Sequence, residues 1–126
     1  MANFNSAFKL IIKHEGGYVN DKDDAGGETY MGISRKAHPQ SDIWNIIDDI
    51  KPKCNNITEL NKQLSANKTI IKSVKEIYKT QYWDSFKLDN MDSQRLANQI
   101  FDNAVNMGVS KTKKLIQRVK NEMQLV

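Results

Sequence analysis

Glycine is scarce in this chain and unevenly spread: of six glycines, five fall at positions 16, 17, 26, 27 and 32. The surrounding stretch, His14-Glu15-Gly16-Gly17-Tyr18-Val19-Asn20-Asp21-Lys22-Asp23-Asp24-Ala25-Gly26-Gly27-Glu28-Thr29-Tyr30-Met31-Gly32-Ile33, also carries five carboxylates. Paired glycines among acids do not fill a core. They let the backbone turn at positive φ and let a ligand or another segment approach closely. The fold therefore has to carry an irregular, acid-rich element near its N-terminus, and such loops on rigid elements are where sites usually sit.

What flanks this stretch is helical in pattern. Phe4, Phe8, Ile11 and Ile12 recur at helical spacing, with Asn3, Asn5 or Ser6 as caps, which predicts a first helix over about 5–15 that stops at Gly16. Inside the stretch, Tyr18-Val19 and Tyr30-Met31-Gly32-Ile33 are expected to pair as a short hairpin. Ser34 reads as the cap of a short helical turn ended by Pro39. Ser41 reads as the cap of a helix through Ile43, Ile46, Ile47 and Ile50, stopped at Pro52. Thr58 and Thr69 read as helix starts, the second helix running toward Tyr82-Trp83. Ser93 caps a helix whose expected buried side is Leu96, Ile100, Phe101, Ala104 and Val105, with Gly108 as its stop. Ser110 caps the last helix, with Leu115, Ile116, Val119 and Met123 on one side. With no repeat, linker or low-complexity tract, the expectation is one domain over 1–126, mainly α, with a Gly-rich loop or short β-hairpin after helix 1.

Composition narrows the function classes. The length suffices for one sizeable core. No apolar run approaches the roughly 18 residues of a membrane span, so stable membrane insertion is not expected. Met1-Ala2-Asn3-Phe4-Asn5-Ser6 lacks a basic cap followed by an apolar core, so an ordinary signal peptide is not expected. Cys54 is the only cysteine, which leaves no internal disulfide. The net charge of +4 suits a polyanion of any kind and selects none.

Glu15 is the sharpest candidate. It falls where helix 1 ends, against the negative end of the helix dipole, where a carboxylate is disfavoured by roughly 0.3–1 kcal/mol. That field favours the protonated form, as a proton donor requires. The ordinary alternative is a solvated acid at a frayed helix end. Asp21, Asp23 and Asp24 follow closely enough that a folded-back loop could set one of them across a groove from Glu15, the two-carboxylate arrangement of glycoside hydrolysis. The ordinary alternative there is a cluster of Asx turns. A calcium loop starting at Asp21 fails, because Ala25 and Gly32 stand where oxygen ligands are needed. A phosphate loop over Gly27–Ser34 fails for want of its lysine, with Ile33 in that place. His14 and His38 are the only histidines, too few for a His-based metal site, and no metal or cofactor is expected. Tyr78, Tyr82, Trp83 and Phe86 at helical spacing read first as core and second as a sugar platform. Asp102 and Asn106, one turn apart, could brace each other or the loop. Lys111, Lys113, Lys114, Arg118 and Lys120 make the last helix basic, read first as a solvated face.

Glu15-Gly16-Gly17-Tyr18-Val19-Asn20-Asp21, with Asp23-Asp24-x-Gly26-Gly27-x-Thr29-x-x-Gly32-Ile33 behind it, resembles the N-terminal signature of glycoside hydrolase family 108, the predicted N-acetylmuramidases. Ile77-Tyr78 with Tyr82-Trp83 resembles the family's Tyr-Trp helix end. Phe101-Asp102-x-Ala104-Val105-Asn106-x-Gly108 resembles the start of a peptidoglycan-binding-like helical region, so that 93–126 would belong to it. The resemblance implies a lysozyme-like, mainly α (α+β) fold and cleavage of the peptidoglycan glycan strand between N-acetylmuramic acid and N-acetylglucosamine. It implies Glu15 as catalytic acid, with Asp24 and Thr29 as partners resembling the Glu–Asp–Thr set of phage-type lysozymes. Tyr18, Asp23, Tyr30, Asp102 and Asn106 are the expected substrate contacts. The family's usual Asp-Pro is absent, with Lys22 and Ala25 in the corresponding places, and its Thr-Asn-Tyr-Gly becomes Thr29-Tyr30-Met31-Gly32. The expected partner is the glycan strand, met by a monomer that is made in the cytoplasm and released through a holin-type pore or by dedicated secretion. Nucleic acid is not an expected partner. A glycan-binding module without catalysis is the alternative function.

Overall fold

The computed structural model describes residues 1–20, 23 and 27–124, with the backbone alone at His14 and Glu15. The described residues form six α-helices and a small antiparallel sheet, the mainly α pattern that the periodicity predicts and the α+β class that the resemblance implies. The chain divides into two compact units, residues 12–77 and residues 1–11 with 78–126.

In the first unit, helix α1 (Phe4–Glu15) completes its last turn and hands over to a three-stranded sheet of β1 (Tyr18–Asn20), β2 (Glu28–Tyr30) and β3 (Ile33–Ser34). The register sets Tyr18 opposite Tyr30 and Val19 opposite Thr29 on one side of β2. Thr29 faces Ser34 on the other side. The expected hairpin forms, but 30–33 is not a strand. Tyr30 pairs with Ile33, and Met31 (φ 48°) and Gly32 (φ 80°) form the two-residue turn between them. Positive φ at both central residues marks a type I′ turn, whose twist matches that of the flanking strands.

Helices α2 (Asp42–Ile50), α3 (Ile57–Ala66) and α4 (Lys68–Ile77) complete this unit. Ser41 caps α2 through Ile43 N (3.3 Å), as its position predicts. The caps of α3 and α4 are asparagines, not the threonines that follow: Asn56 accepts from Glu59 N (2.8 Å) and Asn67 from Ile70 N (3.0 Å). Asparagine is among the strongest N-caps and threonine is weaker, so the earlier residue takes the role. Ser34 starts no helix. Its Oγ accepts from Ala37 N (3.2 Å) in a turn. Ile43, Trp44, Ile47, Leu64, Ile70 and Val74 are buried between these helices.

The second unit is built on aromatic rings. Phe4, Phe8, Tyr78, Trp83 and Phe101 meet at centroid distances of 5.5–6.0 Å, mostly edge to face. Tyr78 and Trp83 are therefore core residues, the first of the two readings above. Residues five apart fall on different sides of an α-helix, yet both rings are buried. The backbone over Tyr78–Trp83 is a π-helical turn, which widens the helix enough to set both inward. Helix α5 (Gln94–Met107) is capped by Ser93 through Leu96 N (3.1 Å), and Gly108 (φ 95°) ends it. Its buried side is Ala97, Phe101 and Ala104. Leu96 is exposed, and Ile100 and Val105 are half-buried, a correction to the expected stripe. Small alanines one turn either side of Phe101 let the neighbouring rings close on the helix, whereas larger side chains would hold them off. Helix α6 (Val109–Gln124) begins directly after Gly108, ahead of Ser110, and buries only Thr112. Val119 and Met123 are exposed, and Leu115 and Ile116 half-buried.

Candidate active site

The Gly-rich turn is built by two glycines with different jobs. Gly16 closes α1 in the left-handed region (φ 66°), the usual helix stop. Gly17 is not at positive φ. A Cβ placed on it would lie 2.4 Å from Oδ1 of Asn61 in α3. That same Oδ1 accepts from Tyr18 N (2.8 Å). The first strand is thus pinned to α3 immediately after the turn, and only glycine permits the approach.

A chain of charge-assisted hydrogen bonds then fixes the sheet on α2. The Tyr18 hydroxyl donates to Glu28 Oε2 (2.7 Å) and accepts from Lys51 Nζ (2.8 Å). Arg35 donates to Glu28 Oε1 (3.1 Å) and, in a two-pronged pair, to the Asp48 carboxylate (2.9 and 2.8 Å). Burial raises the Tyr18 hydroxyl above its ordinary range, with Lys51 opposing and Glu28 reinforcing. The hydrogen bond to Tyr18 raises Lys51, so the lysine stays charged and the tyrosine neutral. Arg35 lowers Asp48. None of Arg35, Asp48 or Lys51 stands out in the sequence: ion-pair partners 13 and 23 residues apart leave no periodic signal. For Asn61 a signal exists, a polar residue on the stripe of Ile57, Leu60 and Leu64.

Strand alternation separates the expected site residues into two faces. Tyr18 and Tyr30 are 4% and 1% exposed, on the buried face, with the Tyr18 hydroxyl committed to Glu28 and Lys51. Thr29 lies on the opposite face with Val19, which is 49% exposed, and with Ser34. Asp23 is exposed in the connection between β1 and β2. Asp21, Asp24 and the side chains of His14 and Glu15 lie outside the described residues. The backbone of Glu15 is the last residue of α1. Asp102 and Asn106 are exposed on α5 in the other unit, and the Asn106 amide donates to the Asp102 backbone carbonyl (2.9 Å), an ordinary within-helix bond. Among the described residues, no group of three or more His, Cys, Asp or Glu could hold a metal ion.

The family model for glycosyl hydrolase 108 matches residues 8–108 of the 126. The chain belongs to this family. No curated protein and no solved structure matches it. As a family 108 glycosyl hydrolase it acts on a glycan, and every expected site residue, Glu15 to Asn106, falls inside the matched range. The match ends where α5 ends, leaving α6 beyond it. No described helix is long and apolar enough to cross a membrane.

Proposed function

We propose that this family 108 hydrolase is an N-acetylmuramidase that cleaves peptidoglycan between N-acetylmuramic acid and N-acetylglucosamine, with Glu15 as general acid. The observation that carries the reading is the placement of Glu15 and Thr29. Helix α1 ends at Glu15, two glycines fold the chain back, and the hairpin register sets Thr29 opposite Val19, on the sheet's open face. The connection between β1 and β2 contains Asp24. Three groups of the required chemistry thus fall within one short segment, from the end of α1 through β2.

In this reading Glu15 protonates the glycosidic oxygen as the bond to the muramic acid C1 breaks. Its position at a helix C-terminus favours the protonated acid needed for that step. Asp24 stabilises the cation-like centre or takes a proton from the attacking water, and the Thr29 hydroxyl orients that water. A carboxyl separation of about 5–5.5 Å goes with retention and about 6.5–9.5 Å with inversion. Buried Tyr18 and Tyr30 then shape the sheet from behind and do not touch sugar, while exposed Asp23 contacts it from the connection between β1 and β2. The enzyme works as a monomer and reaches the wall from the cytoplasm through a membrane pore or by dedicated secretion.

The test is digestion of purified peptidoglycan by the wild type and Glu15→Gln, with products identified by mass. Muropeptides ending in reducing N-acetylmuramic acid, lost by about 10²–10⁴-fold in the variant, are expected. Activity that survives the substitution removes Glu15 from the mechanism. Wall binding without cleavage in either protein makes the chain a glycan-binding module.

A further inference from the structure

The net charge of the chain is not spread evenly along it. Residues 1–108 carry 14 basic and 14 acidic side chains and are neutral as a whole. In α6, Lys111, Lys113, Lys114, Arg118 and Lys120 stand against one acid, Glu122, so the +4 of the chain belongs to this helix. The family match stops at residue 108, immediately before it. Helix α6 contacts α5, and its burial is confined to its first half, where Thr112 is buried and Leu115 and Ile116 are half-buried. From Gln117 to Gln124 every residue is exposed, including Val119 (47%) and Met123 (72%). Net charge and exposed apolar surface thus coincide on one helix.

The order of the residues decides what such a helix suits. Thr112, Leu115, Ile116, Val119 and Met123 recur at i, i+3, i+4, i+7 and i+11 and form one stripe. At about 3.6 residues per turn, Lys111 and Arg118 fall along one edge of that stripe, and Lys113 and Lys120 along the other. Lys114 is the one cation on the face opposite, among Ser110, Gln117 and Asn121. Cations along both borders of an apolar stripe suit a helix that lies in a lipid interface. Their long stems cover the apolar boundary while their charged ends reach the phosphates. A lipid-free polyanion is met best by cations gathered on the polar face, and exposed Val119 and Met123 add nothing to such a contact. A second copy is disfavoured, because joining two such stripes sets basic edge against basic edge with only Glu122 to offset them. Among the described residues, Lys111, Lys114, Arg118 and Lys120 form no ion pair. Lys113 lies over the Phe86 ring (5.8 Å).

We propose that α6 docks the enzyme on an anionic phospholipid surface. The helix lies in the headgroup plane, with Val119 and Met123 turned to the acyl chains and its two basic edges among the phosphates. The proposal concerns where the enzyme is held and does not depend on which bond it cuts. Docking of this kind is shallow and reversible, since α6, like every described helix, is not long and apolar enough to cross a membrane. It grows with the anionic content of the membrane, by about fivefold for each lysine or arginine near the surface, and it weakens with salt.

The experiment is co-sedimentation of the whole chain with vesicles of phosphatidylcholine alone and with about 30% phosphatidylglycerol added. The anionic vesicles are expected to bind at least about tenfold more tightly, with the difference shrinking at about 0.5 M salt. Arg118→Gln with Lys120→Gln should weaken binding to them by about twentyfold, and Val119→Gln with Met123→Gln by at least about tenfold. All four side chains are exposed, so the melting temperature of each variant should match that of the wild type, which separates lost docking from lost folding. Equal binding to both kinds of vesicle, or binding to neither, overturns the dock. So does indifference to either pair of substitutions. Loss through the basic pair alone, with equally tight binding of lipid-free poly(glycerol phosphate), makes α6 a general polyanion contact instead. A dimer in sedimentation equilibrium that the apolar pair abolishes gives the stripe to a second copy and also overturns the lipid assignment. Digestion of purified peptidoglycan should be the same in both double variants as in the wild type, so that docking and cleavage are tested separately.

Discussion

Gly16 and Gly17 look equivalent in sequence, and the structure requires each for a separate reason. Gly16 needs a left-handed backbone with open space around it, so Gly16→Ala carries only the conformational penalty of about 1–2 kcal/mol. Gly17 needs the absence of a Cβ. Gly17→Ala drives Asn61 away and with it the acceptor of Tyr18 N, an expected loss of about 1–3 kcal/mol in denaturant unfolding. The two explanations of Gly17 separate in a double-mutant cycle. In an Asn61→Ala background the added methyl group meets no side-chain oxygen, so the second substitution should cost less than about 0.5 kcal/mol. Equal costs in both backgrounds would place the constraint elsewhere. The sequence marks the pair as a turn, but it cannot show the reason for the second glycine, because the partner stands 44 positions later on a helix whose packing angle no local pattern encodes.

At the scale of elements, helix starts and stops were legible wherever one residue controls them. Ser41, Ser93, Gly16 and Gly108 act as their types predict. Where two capping residues compete within two positions, as Asn56 does with Thr58 and Asn67 with Thr69, type alone misplaces the boundary. The face of α5 departs from the bulk-based expectation because ring packing around Phe101 selects alanines. The π-helical turn at Tyr78–Trp83 has no sequence period to announce it. The β2–β3 turn carries no sequence signal, because methionine is an unlikely residue for its left-handed first position. That misfit yields a prediction. Met31→Asn, with a residue that tolerates positive φ, should stabilise the fold by about 0.5–1 kcal/mol and raise the melting temperature by a few degrees. An unchanged or lower melting temperature would mean that the Met31 side chain contributes more than its backbone costs.

For the molecule as a whole, the titrating groups are divided unequally between the two units, and this sets how each responds to pH. In residues 12–77, burial lowers His38 from its ordinary 6.5, and Arg35 lowers Asp48 from its ordinary 3.8. A group lowered by folding stabilises the native state above its unfolded pKa and loses that contribution as pH falls through the folded one. Acidification therefore weakens this unit from about pH 6.5 downward through His38, and again below about pH 4 through Asp48. In the other unit, the shifts among described groups are upward: Asp84 raises Lys79 through a hydrogen bond, and burial raises Tyr82. Groups raised by folding stabilise below their unfolded pKa and lose that contribution as pH rises through the folded one. Tyr18, Tyr30 and Lys51 add the same alkaline weakness to residues 12–77. Amide hydrogen exchange, corrected for intrinsic rates, should therefore lose protection in residues 12–77 first when pH drops from about 7.5 to about 5, while α5 and the aromatic core hold. Above about pH 10 both units should open together. His38→Gln should remove most of the change between about pH 7.5 and 5.5. Uniform loss across both units on acidification would show that they unfold as one cooperative body, and would assign the acid sensitivity to the fold as a whole.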